Sequence, residues 1–414
     1  MQAELISIGT ELTTGAVIDT NAPWLAERLT RLGVPVSRQV TLADSRRHIA
    51  GAIGQAATRT GLVVVTGGLG PTPDDLTRHA LADAAGVPLE RDEASAGRIA
   101  EFFAKIGKPM PESNLVQALV PAGARVLDNP HGTAPGLALC VGRAMVFALP
   151  GVPREMKPMF ENAVEPWVRA QGGTGVAVRA LRTFGAGESR VAEQLGDLLD
   201  PGRNPAVGTT AGDAVITVRI VAAAATPEQA DQMADADVHT VRRILGPLVF
   251  GTAEDTLGAV VGAQLADRGL SLSVAESCTG GLLGAMITDV PGSSAYFAGG
   301  YVTYSNARKV ADLGVDAELI ERCSAVSGSV AEAMAAGCRA RIGTDYALSI
   351  TGVAGPDGGT ADKPVGLVYV GLADPLGACC KRCLFSDRLD RAAIRRRSAH
   401  VALNLLRLTL RATT

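Results

Sequence analysis

Alternating strand and helix patterns at both ends of the chain, broken by a differently patterned stretch near the middle, predict an α/β protein of three modules. These are a doubly wound N-terminal domain (1–172), a small α+β module (175–250) and a second α/β domain (254–414). Three observations carry the prediction. At 414 residues the chain is too long for one ordinary core. Strands such as "LVVVT" (62–66) are apolar without a break, as expected where helices cover both sheet faces. The 48 glycines and 22 prolines supply tight loops between elements.

The elements follow in order. "AELISIGTEL" reads as a buried strand ending in a loop. "DTNAPWLAERLTRLG" has apolar residues at Trp24, Leu25, Leu29 and Leu32 and a stop at Gly33, the spacing of an amphipathic helix. "VPVSRQVTLA" is a strand, "SRRHIAGAIGQAATRTG" a helix and "LVVVTGG" the next strand; the alternation runs on through "RAMVFALPGVPREM" to a helix ending near Gly172. In the middle, strands "AVRALRTFG" and "DAVITVRIVAAA" accompany helices "GESRVAEQLGDLL" and "TPEQADQMADADVHTVRRILG". Past the linker "GPLVFGTAEDTLG", helix "TLGAVVGAQLADRG" leads into strand "LSLSVAES", and alternation resumes to the final helix "RAAIRRRSAHVALNLLRLTL".

Composition narrows the function classes. Net charge is −3 with both signs interspersed, and no basic stripe appears, which argues against direct nucleic-acid binding. Arg395-Arg396-Arg397 reads as a solvated helix face. Seven scattered cysteines fit reduced thiols, and Cys380-x-x-Cys383 has no second pair at zinc-site spacing. The chain opens directly on a strand and has no apolar run of membrane-spanning length, so a soluble, cytoplasmic protein is expected.

Chemistry concentrates at two strand ends. In "VVVTGGLGPTPDDLTR", Gly67, Gly68 and Gly70 let a ligand approach the backbone closely, at the sheet edge where ligands of open α/β sheets bind. Asp74 and Asp75 suit a divalent cation shared with phosphates; a helix N-cap is the plainer role for either carboxylate. In "SVAESCTGGLLGAM", Ser277, Cys278 and Thr279 precede Gly280 and Gly281 at a strand-to-helix turn. The amides of Cys278 to Gly280 would form a nest for an oxyanion or another anion, and the alternative is a capping turn without chemistry. Only His400 lies in this domain, within the last helix, so a Ser-His-Asp triad is poorly supplied. Lys309 in "GGYVTYSNARKV" is the candidate base, with Tyr304 to relay or orient its proton. Cys278 is the competing nucleophile, without a histidine to activate it.

These motifs carry a resemblance. "SIGTEL", "DTN", "VTGGLGPTPDDLTR", "NPHGTAPG" and "LPGVPREM" look like the N-terminal domain of the CinA family, which resembles molybdopterin-binding proteins. The likeness implies a divalent-metal-dependent ADP-ribose pyrophosphatase. Gly68, Gly70, Asp74 and Asp75 would meet the diphosphate and its metal, and Glu11, Asn21, Thr133, Gly151 and Glu155 would line the pocket. Two departures stand out. The family's Gly-Asp-Glu is Gly9-Thr10-Glu11 here, and a customary basic residue is replaced by Leu115 or Val116 in "PESNLVQA". The second removes positive charge that would strengthen hydrogen bonds to a diphosphate.

The middle module resembles the family's connecting domain, with a linking or dimer-forming role. "AESCTGG", "PGSSAYF", "GGYVTYSNARKV", "SITGVAGPDGG" and "KPVGLVYV" resemble the family's nicotinamide-mononucleotide deamidase domain. That likeness implies Ser277 as nucleophile, Lys309 as base and Tyr304 assisting, with no cofactor. Cys278, Thr279, Gly280, Ser294, Thr351 and Gly352 would position the substrate. Arg391 would bind its phosphate, with Arg388 the fallback. A homodimer with two small-molecule substrates, nicotinamide mononucleotide and ADP-ribose, is the expectation. The alternatives are a molybdopterin-type binding protein and a competence- or damage-associated interaction protein.

Overall fold

The computed structural model describes residues 1–172 and 175–412, which form two compact units: residues 1–177 with 222–232, and residues 178–221 with 233–414. In the first, the strands are β1 (Ala3–Ile8), β2 (Val36–Leu42), β3 (Leu62–Thr66), β4 (Leu89–Arg91), β5 (Leu119–Pro121), β6 (Arg125–Leu127), β7 (Gly136–Val141) and β8 (Ala144–Leu149). Six of them make one sheet in the order β2-β1-β3-β8-β7-β6. β2, β1, β3 and β8 run parallel, and β7 and β6 pair antiparallel at one side, so the sheet is mixed. Regular strand–helix alternation therefore stops after the helix Glu93–Lys105. From 119 to 149 there are only short strands and turns, too brief for a crossover helix. β1 and β3 are buried throughout, and apolar clusters lie on both faces of the sheet. Within β1, Glu4 is 2% exposed and takes a two-pronged ion pair from Arg59 at 2.7–2.8 Å, which holds its carboxyl below the usual range.

A four-stranded sheet follows: β9 (Gly175–Thr183), β10 (Ala206–Gly212), β11 (Val215–Ala224) and β12 (Val249–Thr252), ordered β10-β11-β9-β12. β10 had no signal in the sequence beyond "NPAVGTT". It is an exposed edge strand that hairpins onto β11 and buries no side chain of its own. The third sheet comprises β13 (Leu272–Glu276), β14 (Phe297–Val302), β15 (Tyr346–Gly352), β16 (Leu367–Asp374) and β17 (Gly377–Leu384), ordered β14-β13-β15-β16-β17. The first three are parallel, and β16 and β17 are antiparallel. The helix Arg391–Ala412 buries its apolar face on this sheet; near its end the buried Arg407 donates to the carbonyls of Pro247 and Val249. No described helix is long and apolar enough to cross a membrane.

Backbone proximity makes the glycines unequal. A Cβ at Gly337, in the helix Gly328–Ile342, would overlap the carbonyl oxygen of Leu313, whereas a Cβ at Gly54, in the helix Arg46–Arg59, meets nothing within 4 Å. Gly337→Ala is expected to destabilise by about 2 kcal/mol because fixed backbone must move. Gly54→Ala should stabilise by roughly 0.5–1 kcal/mol through helix propensity. Denaturant titration of both variants checks the opposite signs.

Candidate active sites

The C-terminal ends of β1, β3 and β8 frame a cleft of about 730 Å³. Gly67 follows β3 with φ +97°, and a side chain there would strike the Ile8 carbonyl, so only glycine lets β3 turn beside β1. Thr77 and Arg78, unassigned from sequence, lock the loop. Thr77 Oγ1 donates to Gly67 O at 2.7 Å, and Arg78, 2% exposed, donates to the carbonyls of Leu69 and Gly70. Burial lowers the Arg78 guanidinium to about 10, with Asp75 opposing.

Glu11, Gly68, Gly70, Asp74, Asp75, Thr133, Gly151 and Glu155 all line this cleft. Asn21 stands behind it, its Nδ2 donating to Gly151 O at 2.7 Å; it shapes the loop after β8 rather than the cleft wall. Glu155 accepts from Asn129 Nδ2 at 2.7 Å and packs where a Gly132 side chain would stand, joining the 129–134 and 150–155 loops. Asp75 accepts from the amide and hydroxyl of Thr72, so it closes a turn as well as facing the cleft. Thr10 binds Asp44 through its amide and its hydroxyl, each at 2.7 Å, and this brings a carboxylate to the cleft that sequence reading missed. Arg154 and His131 also reach the wall. Among the described residues no three His, Cys, Asp or Glu side chains cluster as a metal cage. Asp74 and Asp75 are adjacent carboxylates on the cleft wall, hard oxygen donors of the type that a divalent cation takes.

The second cleft, about 270 Å³, opens at the ends of β13 and β15. Ser277 is the first residue past β13, and its amide donates to Ile350 O at 3.0 Å. Lys309 lies in the first turn of the helix Asn306–Leu313, which Ser305 caps. Helical side chains lean toward the N-terminus, so its stem runs back beneath that turn. Nζ donates to Ser277 Oγ at 3.1 Å, Thr303 O at 2.9 Å and Tyr304 O at 3.3 Å. Lys309 is 1% exposed, has no carboxylate partner among the described residues, and is pushed below the ordinary lysine range by burial. Burial pushes the Cys278 thiol up to about 11 and keeps it protonated, which favours Ser277 over Cys278 as nucleophile.

Several expectations change on contact with this geometry. The Tyr304 hydroxyl does not touch Lys309; it accepts from Arg391 Nη2 at 3.0 Å, and it is the Tyr304 carbonyl that meets the amine. The Gly280 amide donates to Ser277 O at 3.1 Å and is taken, and of the three residues of the expected nest only Cys278 lines the cleft. Thr279 is fully buried and Gly280 faces Arg395, so neither lines the cleft. Thr351 and Gly352 do line it, and Thr351 Oγ1 ties back to Ala325 O at 2.8 Å. Ser294 is displaced: its turn precedes β14, at the opposite end of the parallel strands from Ser277, and is exposed. Arg391, not Arg388, reaches the cleft, anchored through Nη1 to Gly355 O at 2.7 Å.

Comparison with known proteins now fits these geometries to a family. Residues 254–410 match the CinA C-terminal domain, 4–170 a "Probable molybdopterin binding domain" and 178–251 the damage-inducible protein CinA KH domain. A CinA-like protein of Synechocystis sp. is 45% identical over 417 residues, covering 100% of both chains. A protein of Moorella thermoacetica named as competence-damage inducible is 46% identical over 414 residues, 100% of this chain and 99% of its own. The chain belongs to the CinA family. A crystal structure of the competence/damage inducible protein CihA from Agrobacterium tumefaciens matches at 38% identity, covering 37% of this chain and 93% of that one, with a TM-score of 0.36.

Around the serine turn of this CinA chain two supporting residues escaped sequence reading. Glu276, beside the serine, is 1% exposed and accepts from the amides of Gly281, Leu283 and Gly284 at 2.8–3.0 Å, capping the helix Leu282–Thr288. Arg395, expected on a solvated face, donates through Nε and Nη2 to Thr279 O and braces the serine turn. A glutamate next to a candidate nucleophile and an arginine in a basic run gave no signal, because their partners are backbone atoms. Brief alkylation at neutral pH is expected to label exposed Cys140 and spare buried Cys278. Peptide mass spectrometry reads both positions, and rapid labelling of Cys278 would contradict its protonated, enclosed state.

Proposed function

We propose that this CinA-family chain is a bifunctional hydrolase of pyridine-nucleotide salvage. Its second cleft would convert nicotinamide mononucleotide to nicotinic acid mononucleotide and ammonia, and its first would cleave ADP-ribose with a divalent metal. The observation that supports the amidase most strongly is the buried Lys309–Ser277 contact, with Arg391 in the same small cleft.

In this reading Arg391 holds the phosphate and the carboxamide carbon lies against Ser277 Oγ. Neutral Lys309 accepts the hydroxyl proton as Oγ bonds to carbon, and the Cys278 amide would meet the oxygen as it gains charge. Collapse breaks the C–N bond, and the Lys309 proton leaves with the nitrogen as ammonia. Water, deprotonated by Lys309, then attacks the acyl carbon and restores Ser277 with release of the carboxylate product. Burial favours the neutral amine, so activity rises with pH through the lowered Lys309 pKa. Ser277→Ala should reduce ammonia release by about 10⁴-fold. The wild-type pH profile should show a rising limb below the ordinary lysine range. Turnover retained in the alanine variant, or a rate flat with pH, would refute the mechanism.

In the first cleft the Gly67–Gly70 backbone would cradle the diphosphate and the adjacent aspartates would share its cation, which polarises the phosphorus when bound. Asp75→Ala should lower ADP-ribose cleavage by about 100-fold. Cleavage unaffected by chelator would contradict the carboxylate–cation role. The match over residues 4–170 favours a second reading of this cleft, as a molybdopterin-type ligand site. Tight pterin binding without any ADP-ribose turnover would select it.

A further inference from the structure

Beside the glycine-loop cleft lies a second compartment of about 360 Å³, within the size range of small-ligand pockets. The two share three wall residues: Phe102, Gly132 and Thr133. Phe102 lies on the helix Glu93–Lys105, a segment to which no role has been given, and it is only half-buried. Its neighbour Phe103 packs into the cluster of Ala96, Ile99 and Ala118. The Phe102 ring meets that anchored ring edge-on, with centroids 6.0 Å apart and planes at 82°. An aromatic ring thus stands at the join between two cavities. At Gly132 a Cβ would strike the Glu155 carboxylate, so glycine lets the 129–134 loop pass beside that side chain at the join.

A diphosphate seated on the glycine loop has a group at each end. The compartment that adjoins the main cleft at Phe102 has room for one of them. We propose that the adjoining compartment is a nucleoside subsite, in which the base of a nucleoside-diphosphate substrate stacks on Phe102. This deepens the pyrophosphatase reading and rests on it for the placement of the diphosphate. Ser95, Asn129 and Lys105 supply polar edges for ribose and base without a fixed donor–acceptor code. Stacking tolerates any base, so the subsite selects a class, nucleoside-diphosphate compounds, rather than adenine alone.

Calorimetric titration with AMP, in the full chain carrying Arg391→Ala to remove the phosphate anchor of the other cleft, tests the subsite directly. Adding Phe102→Ala should weaken AMP binding by about tenfold, the scale of one lost stacking partner, while Phe102→Trp retains it. Inorganic phosphate binding should be the same in all three chains, and circular dichroism checks that each is folded. No AMP binding by the Arg391→Ala chain, or equal affinity with Phe102→Ala, would overturn the subsite. Phe102-dependent AMP binding in a chain that never cleaves ADP-ribose would instead sink the pyrophosphatase reading and leave the subsite standing.

Discussion

One amine hidden from water organises the second cleft. Lys309 has a hydroxyl and two carbonyls around Nζ and no carboxylate to offset its charge. A buried ammonium without a counter-ion is costly, so the site favours the neutral form. The same 3.1 Å contact then serves in either direction. The ammonium donates to Ser277 Oγ, and the neutral amine accepts the serine's proton. The rest of the domain maintains that geometry. β14 delivers the Thr303 carbonyl, the Ser305 cap starts the helix one turn before Lys309, and Glu276 and Arg395 grip the serine turn from two sides.

Both clefts follow one rule of parallel sheets. Strands end together at one edge, and the loops that leave it carry the polar groups. In the first unit these are the loops after β1, β3 and β8, and in the second those after β13, β14 and β15. Side chains tie these loops through backbone carbonyls: Thr77 and Arg78 on the glycine loop, Arg391 and Arg395 on the serine cleft. Glycines at the crossing points let chains approach where a Cβ would collide. Such ties suit chemistry that depends on placed donors and a defined proton acceptor.

Much of this could be read from sequence, for reasons that differ by element. Largely apolar runs located β1, β3 and β8, because burial on both faces leaves few polar positions, and Glu4 in β1 is held by its ion pair with Arg59. Glycine-rich strand ends located both clefts. The short strands β5 and β6 and the exposed edge strand β10 were opaque, since none has an apolar period long enough to recognise. Ser277, Lys309 and Arg391 came together as expected, whereas Ser294 did not: its motif adjoins a strand's beginning, and sequence proximity to β14 says nothing about which sheet edge it occupies. Roles played against backbone, as by Glu276, Arg395, Thr77 and Arg78, leave no trace in residue spacing.

The neutral amine at the centre of this account can be observed without substrate. Lysine side chains labelled with ¹⁵N, assigned by comparison with a Lys309→Met chain, report each Nζ through a pH titration by NMR. The account requires Lys309 to lose its proton at a lower pH than an ordinary lysine, near 10.4. Titration of Lys309 at that ordinary value, or above it, would contradict the account.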